Sequence, residues 1–307
     1  MGVGDRIFPP RRPQIPIPEK PVQRLGVIVV HYRTPDDLWV ALQSLRFQGL
    51  PLQVAVVDTS EEPQVRPWFH IAVEWLGDVR LVERPDNPGF SAACHAGWSA
   101  LDADVDPVCI ANADVVFPPG ALRDLVEFMA SRPEAGAVGP RIQSPDGLIE
   151  PSWGAPITFG REFLYRWRTR WMALPWLQAR WRRRSEPVPV TWVSGACMMV
   201  RRAAWEAVGG LDVGFFMYYE DCDFGLRLNR AGWQIWWVPT ARVVHFRGQS
   251  VHRNPQVRGR VRQARRAAQW RYYRKHRPAW ERWLLRVYFG LRGIRMGKGE
   301  WGMGNEE

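Results

Sequence analysis

Hydrophobic and polar positions take turns along the first 130 residues in two different rhythms. Short apolar runs at 25–31, 54–58, 79–83 and 108–111 read as buried strands, and the first, LGVIVVH, has no polar face at all. Between these runs the spacing becomes helical. Thr34-Pro35-Asp36-Asp37 opens a helix, with Thr34 suited to cap it and Pro35 to its first position; Leu38, Leu42 and Leu45 follow at helical intervals. Residues 90–101 predict a second helix, and Pro118-Pro119-Gly120 precedes a third at 121–130. Strand–helix alternation with short joins predicts an α/β fold: a Rossmann-like, mostly parallel sheet with helices on both faces. In such sheets ligands bind beyond the carboxyl ends of the strands. His31, Asp58 and the Asn112-Ala113-Asp114 turn stand at those ends.

The texture changes after about residue 150. Tryptophan, proline and arginine dominate 151–189, an ordered pattern returns at 190–200, and apolar runs end at Val238 and at His245. The predicted organisation is a Pro/Arg-rich tail over 1–24, a domain over 25–255 whose halves meet near 135 and which carries an insert at 153–189, and a basic helical C-terminal extension over 256–307.

The densest chemistry lies at 215–223. Glu220, Asp221 and Asp223 come directly after Phe215, Phe216, Met217, Tyr218 and Tyr219, and lead into a helix that Gly232 closes. Acids at a helix start beside an apolar wall can be held as a poised base, because neighbours and low dielectric set their pKa. The same acids also suit plain helix capping, since carboxylates favour the first turn.

Composition narrows the function classes. At 46% hydrophobic and 24% charged, the 307-residue chain is globular and long enough for one large domain or two smaller ones. Cys94, Cys109, Cys197 and Cys222 form no CxxC pair, which predicts reduced, buried thiols and a cytoplasmic setting. No apolar run approaches the roughly 20 residues of a spanning helix, and the first 20 residues lack a signal-peptide core. The net charge of +11 invites a polyanion: nucleic acid, phospholipid or a phosphorylated substrate. The excess is localised, with no acid between Asp223 and Glu281, and a second basic region at 161–184 interleaved with Trp167, Trp171, Trp176 and Trp181. A Rossmann glycine pattern, a P-loop lysine and a Gly-x-Ser-x-Gly elbow are all missing, which argues against nicotinamide, flavin, P-loop and serine-hydrolase chemistry. A nucleotide would instead be held by strand-end polar groups with a metal on its diphosphate. Asp114 offers a hard oxygen and His245 a nitrogen, a set suited to Mn2+ or Mg2+; taken singly, Asp114 also suits plain turn chemistry and His245 a structural place after its strand.

Order and spacing add a resemblance. Val27 to Thr34, Val56-Val57-Asp58-Thr59-Ser60, Asn87-Pro88-Gly89-Phe90, Asn112-Ala113-Asp114, Val193-Ser194-Gly195-Ala196, Gly209 to Asp223, and His245 with Gly248 and Ser250 resemble the motifs of inverting family-2 glycosyltransferases of the GT-A fold, in family order. The likeness spans about residues 25–275. It implies a nucleotide-sugar-binding half at 25–135 and an acceptor half at 136–255. Asp58 would recognise the nucleotide, flanked by His31 and Thr34, with Asn87, Gly89 and Asn112 on the donor side. Asp114 and His245 would hold the divalent cation, Asp221 would be the general base and Glu220 its neighbour, and Gly195, Ala196, Tyr219 and Trp192 would lie on the acceptor side. Asp223 would pair with Arg227 and be structural.

The chain departs from the pattern at Asn112, where the family carries an aspartate, at His31 in place of asparagine, and at Cys94-His95 in place of Asn-Asn. His95 either touches the diphosphate or packs on its helix. The layout is similar to the rhamnosyltransferases of cell-surface polysaccharide biosynthesis, which implies a dTDP-rhamnose donor and a glycan or polyprenyl-linked glycan acceptor. Arg166, Arg168, Trp171, Trp176 and Arg182 would then suit an anionic membrane surface, making the enzyme peripheral on the inner face of the membrane. A sugar nucleotidyltransferase shares the nucleotide-binding half, but its glycine-rich opening loop is missing from His31-Tyr32-Arg33-Thr34. A nucleic-acid-binding protein is the reading charge alone suggests; no helix-turn-helix, zinc finger or RNP-like motif supports a specific nucleic acid.

Overall fold

Strands β1 (Leu25–His31), β2 (Leu52–Asp58), β3 (Asp78–Glu83) and β4 (Val108–Asn112) lie parallel in the spatial order β3-β2-β1-β4. The order reverses between β1 and β4, the kind of switch point at which open α/β sheets bind their ligands. Helices α1 (Pro35–Arg46), α2 (Arg66–Leu76) and α3 (Phe90–Ala100) make the crossovers. The computed structural model describes residues 24–62, 65–162, 164, 171, 174–246 and 255–294; the N-terminal tail, Arg166, Arg168, Gly248 and Ser250 lie outside them.

Alternate residues of one strand serve two cores, as strand geometry requires. Val27 and Val29 join Leu38, Leu42 and Leu45 of α1, with Leu122 and Leu125 of α4 (Ala121–Ala130), on one face. Ile28, between them, joins Ala93, Cys94 and Trp98 of α3 on the other. Helix α3 approaches closely because Gly97 has no side chain: a Cβ there would stand 2.5 Å from Ile28 Cγ2. Thr34 precedes α1 as predicted but its hydroxyl makes no capping bond.

The sheet continues through β10 (Cys197–Val200), antiparallel to β4 and β6 (Ala135–Gln143), and then β11 (Gln234–His245), parallel to β6. Short β5 (Val115–Val116) and β8 (Val188–Val190) pair with β11, while β7 (Trp153–Gly154) and β9 (Trp192–Val193) form a separate ribbon. The runs ending at Val238 and His245 are one strand, β11, with a register shift between Val238 and Arg242. Helices α5 (Pro175–Arg182), α6 (Arg202–Val208) and α7 (Glu220–Arg230) complete the second half. The basic C-terminal stretch is two helices, α8 (Pro255–His276) and α9 (Ala279–Leu291), broken at Pro278. A third core packs them on the sheet domain: Phe215 and Cys222 meet Tyr272, Tyr273, Leu285 and Phe289. All four cysteines are buried and free. Among the described residues no helix is long and apolar enough to cross a membrane.

Candidate active site

The register of β1 on β2 sets His31 directly beside Asp58. His31 Nδ1–H donates to Asp58 Oδ1 at 2.9 Å, and His31 Nε2 accepts the Thr34 backbone N–H at 2.9 Å. Both ring nitrogens are thereby occupied, which defines the neutral tautomer. Asp58 also accepts the Ser60 N–H at 3.0 Å. Burial alone would raise the Asp58 carboxyl, but the bonds from His31 and Ser60 outweigh it and hold the group below its ordinary value. Asp58 is thus a persistent anion at the end of β2. His31 and Thr34 come together with it, and the buried His31 ring orients the carboxylate.

Across the switch point, the Ala113 N–H donates to the Val30 carbonyl at 3.1 Å and ties the end of β4 to β1. Val115 of β5 pairs with His245 of β11, and the Phe246 N–H donates to the Asp114 carbonyl at 2.9 Å. These bonds bring residues far apart in sequence to one point: Asp114 Oδ1 lies 3.1 Å from His245 Nε2. His245 Nδ1 faces Glu150 Oε2 at 3.5 Å. Burial works against the charged imidazole, but Asp114 and Glu150 overcome it and raise its pKa to about 9. Glu150 was not a sequence candidate. It sits after the 144–148 turn, where the Glu150 N–H donates to the Ile142 carbonyl at 2.9 Å, and no motif marks it.

The donor set suits a hard divalent cation. Asp114 and His245 would be the residues to hold it, a carboxylate oxygen and an imidazole nitrogen already brought to 3.1 Å from each other. Among the described residues no three of His, Cys, Asp and Glu converge as a closed metal cage. The remaining positions would have to come from substrate oxygens and water, as is usual for a metal bound through phosphates.

The acid pair is held by backbone in unusual conformations. Tyr218 and Tyr219 have φ of 69° and 63°, and Arg33 and Asn87 are also left-handed, at 56° and 42°. These four are the non-glycine residues with positive φ among those described, and all lie in loops. Left-handed backbone at such residues costs energy that surrounding contacts must over-determine, and it concentrates at functional sites. One such contact is visible: the Phe90 N–H donates to the Phe216 carbonyl at 2.7 Å, clamping the donor-side loop to the acidic segment.

Asp221 Oδ2 accepts the Gly195 N–H at 3.2 Å, and Oδ1 accepts the Cys222 N–H at 2.8 Å. Asn112 donates its N–H to the Ala196 carbonyl at 3.0 Å. The dipeptide Gly195–Ala196 therefore joins the acid to the strand end that carries Asp114. Burial raises the Asp221 carboxyl, and the bonds from Gly195 and Cys222 hold back part of that rise. Glu220 is buried, its Oε2 has no hydrogen-bond partner, and burial followed by the charge of Asp221 drives its pKa well above the carboxylate range. Glu220 therefore keeps a proton to higher pH than Asp221. Asp223 is different again: it is fully buried, and bonds from His276, Lys275 and Arg227 overcome that burial to keep it ionised. It is a strut between α7 and α8.

Two of the acceptor-side candidates are engaged with protein neighbours. Trp192 is 7% exposed, sits in the third core, and donates its indole N–H to the Ala155 carbonyl at 3.0 Å. Tyr219 packs beside Tyr272 and donates its hydroxyl to Glu162 Oε1 at 2.6 Å. His95 settles as a packing residue, with Nε2 2.7 Å from the Leu211 carbonyl and its ring 5.0 Å from Trp205.

Gly89 carries a prediction. Its φ is 89°, and a Cβ there would stand 2.5 Å from the Phe216 carbonyl. Gly89→Ala must open the Phe90–Phe216 bond and strain the loop, at a cost of about 2–3 kcal/mol. Thermal denaturation should show a drop of several degrees, with the protein's turnover slowed in parallel. An unchanged melting temperature and rate would show that this clamp does not matter.

Comparison with known proteins agrees with this geometry. The family model described as "Glycosyltransferase like family 2" matches residues 21–277. The N-acetylglucosaminyl-diphospho-decaprenol L-rhamnosyltransferase of Mycobacterium tuberculosis is 36% identical over 247 residues, covering 75% of this chain and 78% of the relative. Among solved structures, a mannosyltransferase from Pyrobaculum calidifontis in complex with GDP-Man and Mn2+ has a TM-score of 0.55 at 16% identity, covering 94% of this chain and 81% of that one. GalNAc-T7 with UDP, GalNAc and Mn2+ also has a TM-score of 0.55, at 14% identity; 73% of this chain matches, but only 44% of that longer one. These two likenesses establish the GT-A fold and nothing narrower. A matched model over most of the chain, together with a relative this similar over most of its length, places the protein in glycosyltransferase family 2.

Proposed function

We propose that the protein is an inverting glycosyltransferase that moves a deoxyhexose, rhamnose as in the mycobacterial relative, from a nucleoside diphosphate to a hydroxyl of a polyprenyl-diphosphate-linked sugar. Membership of a glycosyltransferase family decides against the nucleotidyltransferase reading. Support for the substrate class comes from the mycobacterial relative, whose name gives both the sugar transferred and the lipid-linked acceptor. The observation that carries the mechanism is the Gly195–Ala196 dipeptide, which bonds Asp221 on one side and Asn112 on the other.

Inversion needs one in-line displacement at the anomeric carbon. Asp221 accepts the proton of the attacking hydroxyl, while Glu220, holding its own proton, leaves the pair with a single negative charge. Asp58 orients the nucleotide by accepting hydrogen bonds from its base or ribose. Asp114 and His245 are the residues that would hold Mn2+ or Mg2+. Such an ion, when bound, neutralises charge on the leaving diphosphate. Glu150 sets a carboxylate 3.5 Å from the other ring nitrogen of His245, the side from which acids commonly support ligating imidazoles.

The test supplies dTDP-rhamnose, other nucleotide-sugars and N-acetylglucosaminyl-diphospho-polyprenol to the purified protein. Release of a nucleoside diphosphate with a product of inverted anomeric configuration is expected. Retained configuration, or release of pyrophosphate, would overturn the proposal.

A further inference from the structure

Helix α9 has two unlike faces. Glu281, Leu285 and Phe289 are buried, and Glu281 is held by the Phe159 N–H at 2.9 Å and by Arg277 Nε at 2.9 Å. On the opposite side Trp280, Trp283, Val287 and Leu291 are 61, 62, 40 and 83% exposed. Intervals of three and four residues put these four on one stripe. Two indoles and a leucine standing in water on a helix whose inner face is well anchored mark a surface that something covers.

Charge identifies what covers it. Residues 255–291 contain eleven lysines and arginines against one acid, Glu281; Arg277 is paired with Glu281, Arg271 with Asp212, and Lys275 with Asp212 and Asp223, and the segment stays strongly cationic after these pairs are set aside. A second copy of this chain would bring the same cations to the contact and be repelled. An anionic lipid surface suits both features at once, because indoles favour the headgroup boundary and arginines its phosphates.

Position supports the same occupant. Lys275 and His276, in the last turn of α8, bond Asp223, two residues beyond Asp221. Helix α9 begins three residues after His276. The start of α9 is therefore tied through the last turn of α8 to the segment that carries the acid pair.

We propose that α9 is a membrane-docking helix whose outer stripe enters the interfacial layer of an anionic bilayer and so delivers the acceptor site to its lipid-linked substrate. This rests on the lipid-linked acceptor reading above. It assigns the contact to a helix distinct from the insert at 153–189.

The full chain is sedimented with phosphatidylcholine vesicles, with and without phosphatidylglycerol. The wild type should partition to the anionic vesicles at low salt. The double variant Trp280→Ser, Trp283→Ser should lose about 10-fold or more of that partitioning. Its melting temperature, and its transfer to a short-chain acceptor dispersed in water, should stay unchanged. Equal vesicle binding by variant and wild type would overturn the proposal, as would a wild type that stays in the supernatant. A dimer in size-exclusion chromatography that the variant abolishes would assign the stripe to a second copy and overturn it too. Vesicle binding is read without turnover, so a wild type that binds vesicles yet transfers no sugar to any acceptor would count against the proposed function and leave the docking helix standing.

Discussion

Asp221→Asn should lower turnover by about 10²–10⁴-fold, the usual contribution of a general base, while donor binding changes little. The replacement keeps the shape of the side chain. Its single amide oxygen retains one of the two backbone bonds that Asp221 accepts, from Gly195 and Cys222, so the loop should stay in place. Only the proton acceptor is removed. The pH profile supplies an independent readout. Burial raises the Asp221 carboxyl, so activity should be lost as pH falls through that raised value, earlier than for an exposed carboxylate. The variant should lose this acid limb along with the rate. Glu220→Gln is the control: Glu220 keeps its proton, so an amide mimics its working state and most of the rate should survive. If Glu220→Gln is the crippled variant and Asp221→Asn is not, the two residues exchange roles.

The alternation that reveals β1 to β4 in the sequence is legible because both faces of a parallel sheet are covered, so the strands read as bare apolar runs. Strand β6 shares that burial but does not read as an apolar run, because Gly136, Gly139 and Pro140 interrupt it. Packing explains two of the interruptions: a Cβ on Gly136 would stand 2.7 Å from Trp233 Cβ, and one on Gly139 2.6 Å from Val193 Cβ. Asp58, Asp114, Asp221 and His245 could be picked out because strand ends and the acid block have local signatures. Glu150 has none; its place beside His245 depends on two chain segments meeting 95 residues apart. Tryptophans show the same limit from the other side. Composition cannot separate Trp192, enclosed by the third core, from Trp280, which stands in solvent. Positions 280, 283, 287 and 291 stand at helical spacing, but only burial decides which face of α9 turns outward.

Asp114→Ala should abolish metal-dependent donor binding and leave the fold intact. The structural bond at this position is made by the Asp114 backbone carbonyl to Phe246, and alanine retains it. What disappears is one of the two proposed protein ligands. Loss of a partner merely outside a metal's coordination sphere commonly costs 10–100-fold in affinity, so loss of a direct ligand should cost about 100-fold or more. Thermal shift with nucleotide-sugar, with and without Mn2+, separates the effects, because only a ligand that binds the folded state raises its apparent stability. The wild type should gain stability from donor and Mn2+ together and lose the gain to a chelator; Asp114→Ala should show no difference between the two conditions. The His245 ring gives a second readout. It is held at about pKa 9 by Asp114 and Glu150 against burial, so removing Asp114 should move it downward, as NMR titration would show. A cation that binds His245 must first displace that proton, so donor binding in the wild type should release a proton below pH 9. A wild type whose donor binding ignores both chelator and pH would leave Asp114 and His245 as a buried ion pair, and the diphosphate would need other partners.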